Sequence, residues 1–288
     1  MSQITDFNTI NVPNWCPGCA NFGVWNSLKQ SFVELNLEPH QIVITYDIGC
    51  SGNGADKTNT YAFKSLHGRT IPIAVGVKLA NPNLTVIATG GDGGIMEEGV
   101  NHLMWAARSN YDITVLMHNN RRFGLTTGQP TVTTNKGEPG STSPLGIPED
   151  PIVPVHVALI SKATFVARGY AGDPKQLTKL IKSAIKHKGF SFLEILQPCV
   201  TFNKINTFYW YKERIYKLED KKGYDSGNWD KAFDISKSTD EKIATGIIYQ
   251  DKKSVPYSQR LSYRKDKKTT LVDEVKQYSI KELVKEFE

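Results

Sequence analysis

Cysteine is scarce in this chain. Its 288 residues include only four, Cys16, Cys19, Cys50 and Cys199, too few for a small secreted fold held together by disulfides. Long apolar runs are missing as well, and no stretch approaches the length that spans a bilayer. The opening residues, MSQITDFNTINVPNW, lack a basic region followed by an apolar one. No secretory signal is read there, and a cytoplasmic location is the expectation. There is no internal repeat. The net charge of +6 is mild and comes without any RNA- or DNA-binding signature, so neither nucleic acid nor membrane is an expected partner.

What remains is an ordinary soluble composition, 39% hydrophobic and 22% charged. It fits one large domain with an extension, or two smaller domains. Lys and Arg become denser near the end, in YKERIYKLEDKKGY and DKKSVPYSQRLSYRKDKK. A solvated, partly flexible surface is the simpler reading; a docking surface for an acidic partner is the sharper one.

The order of elements is legible from periodicity. Phe22, Trp25, Leu28, Phe32 and Leu35 recur at helical steps, so a helix is expected from about Cys19 to Leu35. QIVITYDIG reads as a strand ending in a loop, and CSGNGADKTNTYAFKSLHGR as a polar, glycine-rich loop. IPIAVGVKLANP reads as a buried helix stopped by Asn81 and Pro82. LTVIATG is a nearly all-apolar strand running into GDGG and a helix through about Arg108, and DITVLMH is another such strand, ending at Asn119-Asn120. After a long Gly-, Pro- and Thr-rich loop over 121–152 come a helix near 153–162, the strand ATFVAR, a helix near 174–188 and the strand FSFLEIL. Continuous apolar strands alternating with helices predict a mostly parallel sheet covered on both faces. About five such repeats make a doubly wound α/β fold. Beyond Pro198 the pattern fails. Residues 1–205 are read as the core domain and 206–288 as an arm, packed on a partner or partly disordered.

Three strand ends carry unusual residues: Ile48-Gly49-Cys50-Ser51, Gly91-Asp92-Gly93-Gly94 and Asn119-Asn120. Open α/β sheets bind ligands at such ends. In GDGG the glycines let backbone amides approach an anion, and a helix N-terminus favours it electrostatically. An aspartate beside phosphates needs a cation between them, and Mg2+ takes oxygen ligands. Asp92, the Asn120 amide oxygen and the backbone carbonyl of Arg122 are candidates. The four cysteines match one four-thiolate site. From the residues alone, NWCPGCANFG at 14–23 is equally a redox dithiol, half a zinc site or part of an iron–sulfur ligand set.

The order GDG, apolar strand, NN, with the interval between them, resembles the diphosphate-binding signature of thiamine diphosphate enzymes. Over roughly residues 12–205, WCPGC, IGCS, HGR, GVKLANP, GDGG, NN, GLTTGQPT and GFSFLEILQPC together resemble the β subunit of a 2-oxoacid:ferredoxin oxidoreductase. The resemblance implies the thiamine diphosphate-binding fold of the diphosphate-binding type. It implies cofactor contacts at Ile48, Gly49, Cys50, Ser51, His67, Gly93, Gly94, Gly124 and Leu125, and Mg2+ held by Asp92, Asn120 and the Arg122 carbonyl. It also implies a 4Fe-4S cluster on Cys16, Cys19, Cys50 and Cys199. The implied activity is CoA-dependent oxidative decarboxylation of a 2-oxoacid, or its reverse, with electrons passed to ferredoxin. The cofactor-activating glutamate is expected on a separate α subunit, so the chain alone should be inactive. A structural zinc suits four cysteines too, but its usual pattern has two tight pairs and here only Cys16 and Cys19 are tight. The alternative class is a non-catalytic, zinc-stabilised partner subunit. Two departures from relatives leave the acid open: CSGNGADK has no basic residue before Lys57, and Leu125 stands where single-chain pyruvate enzymes carry a polar amide.

His67 is read as a phosphate contact, with an exposed loop histidine as the simpler alternative. His102, His118, Trp15, Trp25 and Trp105 are read as packing, interface or surface residues. Glu97 and Glu98 are explained by a helix dipole. Arg121 and Arg122 are either a lure for a substrate carboxylate or a solvated pair.

Overall fold

A computed structural model of the chain describes residues 2–237, 240–264, 269–275 and 281–286. The end of the second basic run and part of the weakly helical C-terminus lie outside the described residues.

The apolar runs become buried strands. In chain order the main elements are α1 (Asn21–Glu34), β1 (Ile42–Tyr46), β2 (Tyr61–Lys64), α2 (Thr70–Ala80), β3 (Thr85–Gly91), α3 (Val100–Ser109) and β4 (Thr114–Asn119). A short hairpin, β5 (Arg122–Phe123) and β6 (Gln129–Pro130), precedes α4 (Pro154–Ile160), β7 (Phe165–Tyr170), α5 (Pro174–Lys186) and β8 (Ser191–Leu196). Then follow α6 (Phe208–Arg214), β9 (Ile215–Lys217), α7 (Trp229–Ser236) and β10 (Ile243–Gln250). The eight-stranded sheet has the order β2-β1-β3-β4-β8-β7-β10-β9. Neighbours are parallel except β10 and β7, which are antiparallel.

Burial on both faces explains why the central strands read as unbroken apolar runs. Ile42, Ile44, Ile87, Leu116 and Leu193 face α1 and α5, where Val24, Leu28, Phe32, Leu177 and Ile181 meet them. Val86, Ala88, Val115, Met117 and Phe192 face the other way, toward Ile71, Ala74, Leu103, Ala107 and Leu159 of α2, α3 and α4. Helix ends follow local chemistry. The Asp173 carboxylate caps α5 by accepting from the Gln176 amide at 3.0 Å, just before Pro174. Asn110 ends α3 in the left-handed region, φ 55°. Phe192 is fully buried, so Phe192→Ala should lower the unfolding free energy by about 3–5 kcal/mol. This would be read as a lower denaturant midpoint at unchanged slope.

Three segments differ from the sequence reading. First, the polar loop after β1 contains β2, parallel to β1 with all four residues exposed. No face of it is buried, so no apolar alternation marks it. Second, the segment after GDGG is a π-helical turn, Gly93–Glu98, set off from α3 by Gly99. A side chain at Gly99 would collide with the Gly68 carbonyl at 2.5 Å, so the two pieces bend around the 68 loop. Third, Ile215–Lys217 and Ile243–Gln250 return to the sheet as β9 and β10, and the reading of everything from 206 as an arm is corrected for these strands. β10 pairs with β7 and carries β9 outside it. Its sequence, IATGIIYQ, is broken by Gly246 at φ 126° and by a bulge, which hides the strand period. No helix among the described residues is long and apolar enough to cross a membrane.

Candidate active site

The chain leaves β1 toward β2 on one side and then returns to place β3 on the other side. The carboxyl ends of β1 and β3 thus flank a topological switch point, where open sheets form a crevice. Ile48, Gly49, Cys50, Ser51, His67, Gly93, Gly94, Gly124 and Leu125 all line one cleft there, together with Asp92, Asn120 and Arg122. Every residue expected at the cofactor or the magnesium is therefore brought together. The cleft encloses about 70 Å³.

Asp92 is 1% exposed. Its Oδ2 accepts from the Thr131 and Thr133 hydroxyls, both at 2.5 Å, and Oδ1 from the Asn120 amide at 3.4 Å. Burial pushes its carboxyl above the usual range despite these donors. Among the described residues no cationic side chain pairs with it, so its charge is left for another partner. Asn120 Oδ1 accepts from the Arg122 amide at 2.9 Å, and Asn120 Nδ2 donates to Gln197 at 3.3 Å. Arg121 takes a left-handed φ of 60°.

Close approach explains two glycines. A Cβ at Gly94 would lie 1.9 Å from Asp47 Oδ2, and one at Gly124 3.3 Å from Cys50 Sγ and 3.8 Å from Cys199 Sγ. Gly94→Ala should therefore displace the Asp47 carboxylate and cost about 1–3 kcal/mol of stability, measurable by thermal unfolding. Around the cleft, Asp47 Oδ2, Ser51 Oγ and His67 Nδ1 are buried without hydrogen-bond partners. Unmade bonds of this kind are costly in a dry interior, so the cleft is chemically prepared for a polar ligand. Asp47 was not singled out from sequence. It ends β1 fully buried, with Oδ1 accepting from the Ile48 and Gly68 amides at 2.8 and 2.9 Å. Its only sequence signal is a charged residue ending an apolar strand. Thr131 and Thr133 were missed inside a loop that looked merely polar.

The sulfurs converge beside this cleft. Cys16 and Cys19 share a turn, with the Cys19 amide donating to the Cys16 carbonyl at 2.9 Å and Gly18 at φ 77°. Burial pushes the Cys50 thiol up to about 12 and the Cys19 thiol to about 11. The negative charge of the other sulfurs adds to both shifts. The Phe202 amide donates to Cys199 Sγ at 3.4 Å, and Gln197 Nε2 lies 3.7 Å from Cys19 Sγ. The Trp15 indole donates to the Cys50 carbonyl at 2.7 Å, which ties the first cysteine loop to the third. Among the described residues, no group of three or more His, Cys, Asp or Glu side chains is gathered tightly enough to grip a single ion.

The readings of Arg121, Arg122 and Glu97 are corrected. Arg121 and Arg122 are buried, not a solvated pair. Arg121 makes a bidentate pair with Asp240 at 2.7 and 2.9 Å. Arg122 is buried against Thr134, Glu138 and the Pro139 carbonyl. Glu97 accepts from the Val132 amide at 3.2 Å, a tether rather than a dipole effect. His118 is buried between Thr89 and Asn21 at 3.1 and 2.8 Å, with its pKa pushed down to about 4 by burial. Trp25 donates to Thr58, while Trp105 is exposed.

Residues 47–195 match the family model "Thiamine pyrophosphate enzyme, C-terminal TPP binding domain". Residues 199–266 match the family model for the C-terminal part of the pyruvate ferredoxin oxidoreductase β chain. The β subunit of a 2-oxoacid:ferredoxin oxidoreductase from a Sulfolobus species is 42% identical over 259 residues, covering 86% of this chain and 85% of the relative. A β subunit of the corresponding enzyme 1 from Aeropyrum pernix is 39% identical over 270 residues, 91% of this chain and 85% of the relative. Among solved structures, a 2-oxoglutarate:ferredoxin oxidoreductase from Magnetococcus marinus, with 2-oxoglutarate, coenzyme A and succinyl-CoA bound, superposes with a TM-score of 0.89. It shares 29% identity and covers 100% of this chain and 96% of that one. With this fold, this cleft and these relatives, the chain belongs to the β subunits of the 2-oxoacid:ferredoxin oxidoreductases, thiamine diphosphate enzymes that work as complexes.

Proposed function

We propose that the cleft holds the diphosphate end of thiamine diphosphate. Asp92, Asn120 and the Arg122 carbonyl would hold Mg2+, and Cys16, Cys19, Cys50 and Cys199 a 4Fe-4S cluster. The observation that carries this reading is the sharing of one loop. Cys50 lines the cleft and also stands with Cys199 around Gly124, so an electron acceptor on the sulfurs would adjoin the reacting cofactor. When bound, thiamine diphosphate supplies the nucleophilic carbon and the electron sink for decarboxylation of a 2-oxoacid.

The chain's residues do the rest. The Gly93 and Gly94 backbone can approach the diphosphate without steric hindrance. His67, with its Nδ1 unpartnered, offers a donor to a phosphate oxygen. Leu125, half exposed at the cleft mouth, puts an apolar wall beside the substrate. The Phe202 amide and Gln197 side chain place N–H dipoles on cluster sulfurs, a means of tuning potential. Four thiols and no other donor type suit iron–sulfur ligation.

The cleft opens between the strand ends of this chain, with Leu125 half exposed at its mouth. The α subunit is proposed to complete it and to carry the activating glutamate, with CoA as acyl acceptor and ferredoxin as electron acceptor. All four thiols are free, as a reducing compartment keeps them, and the cytoplasm is the proposed location. The test is coexpression with the α subunit, followed by viologen or ferredoxin reduction with pyruvate, 2-oxobutyrate and 2-oxoglutarate. The complex should be brown and active, and this chain alone inactive. Activity of the isolated chain, or a colourless complex with stoichiometric zinc, would overturn the reading.

A further inference from the structure

Behind the Asp92 carboxylate runs a chain of buried polar groups that the cofactor contacts do not account for. Arg168 Nε donates to Glu194 Oε2 at 2.7 Å, and Glu194 Oε1 accepts from Asn119 Nδ2 at 2.7 Å. Asn119 Oδ1 then faces the Thr133 hydroxyl at 3.0 Å, and that hydroxyl faces Asp92 Oδ2 at 2.5 Å. The parallel pairing of β7, β8 and β4 sets this row across the sheet, with Arg168 opposite Glu194 in register. Arg168 is 5% exposed and Glu194 2%.

Proton counting gives the row a direction. A threonine hydroxyl carries one proton, yet Thr133 has three oxygens in reach, Asp92 Oδ2 at 2.5 Å, Asn119 Oδ1 at 3.0 Å and the Thr131 hydroxyl at 3.1 Å, which itself donates to Asp92 Oδ2 at 2.5 Å. A carboxylate paired with arginine only accepts, so Glu194 must receive the Asn119 NH2. That fixes which end of the amide points at Thr133: the oxygen. With the amide reversed, Thr133 would meet a donor there, and its proton would fall to the Asp92 carboxylate, the strongest acceptor in reach.

We propose that Glu194 is a positioning residue for the metal site. By holding the Asn119 carbonyl toward Thr133, it gives the hydroxyl proton an alternative acceptor and frees an Asp92 Oδ2 lone pair for Mg2+. This rests on the cofactor reading above. Partners one step behind metal ligands carry effects of this size in other sites.

The test is a double-mutant cycle in the αβ complex, with Mg2+ titrated at fixed thiamine diphosphate and binding read by calorimetry. Glu194→Gln, whose amide lets Asn119 turn over, should weaken apparent Mg2+ affinity roughly tenfold with the visible absorption of the cluster unchanged. Thr133→Val removes the contested proton, so in that background Glu194→Gln should matter less than about twofold. Where Glu194→Gln fails to fold because Arg168 loses its counter-charge, Asn119→Ala removes the same acceptor and replaces it in the cycle. An equal loss in both backgrounds, or none in either, overturns the proposal. Asp92→Ala in the same titration separates the two readings. If it binds Mg2+ normally, the cofactor assignment fails; if it loses Mg2+ while Glu194→Gln keeps it, only the positioning role fails.

Discussion

Asp92→Ala in the assembled complex is expected to lose magnesium-dependent binding of thiamine diphosphate, by a factor of at least about a hundred. The cause is local and electrostatic. Asp92 is a buried carboxylate lining the cleft, held by Thr131 and Thr133. A diphosphate cannot sit beside it without a cation between them. Removing the carboxylate deletes the proposed metal ligand and takes one acceptor from each of two threonine hydroxyls. The sulfurs should be undisturbed, because none of the recorded hydrogen bonds of Asp92 reaches a cysteine. The visible absorption of the complex is the internal control. A variant that still bound the cofactor normally would remove Asp92 from the site.

Cys50→Ser is expected to have the larger reach, because Cys50 belongs to both halves of the site. Its thiol is pushed up to about 12 by burial, so as a free group it stays protonated and unreactive. Only a bound cationic centre makes the thiolate favourable there. Serine keeps the volume and loses the soft ligand. The complex should lose its brown colour and its reduction of viologen, while the proposed diphosphate contacts at Gly93 and Gly94 remain. An undiminished visible spectrum would take Cys50 out of the ligand set. A colourless wild-type complex that lost one zinc per chain on this substitution would favour the zinc-stabilised reading.

The strands β1, β3, β4, β7 and β8 were legible because burial on both faces writes an unbroken apolar run. The cleft residues were legible because short motifs sit at strand ends, where chemistry leaves little choice of residue. What stayed hidden was set by tertiary contact. Thr131 and Thr133 look like filler in a loop until Asp92 is placed against them. Arg121 and Arg122 look like a surface pair until Asp240, more than a hundred positions later, closes on one of them. Glu194 sits mid-strand in FSFLEIL, and only the register with Arg168 explains a charge there. β2 was hidden because backbone pairing alone holds it. β10 was hidden because a glycine and a bulge interrupt its period.

The return of β10 to the sheet also decides where this polypeptide can be divided. A chain ended near residue 205 would keep nearly all the cleft motifs, yet would uncover the edge of β7 from Phe165 to Arg168, which β10 now occupies. An open row of amides and carbonyls beside apolar side chains is a template for joining other chains. The strands β9 and β10, which carry none of the proposed cofactor or cluster residues, therefore act as the guard that keeps the catalytic part a discrete unit.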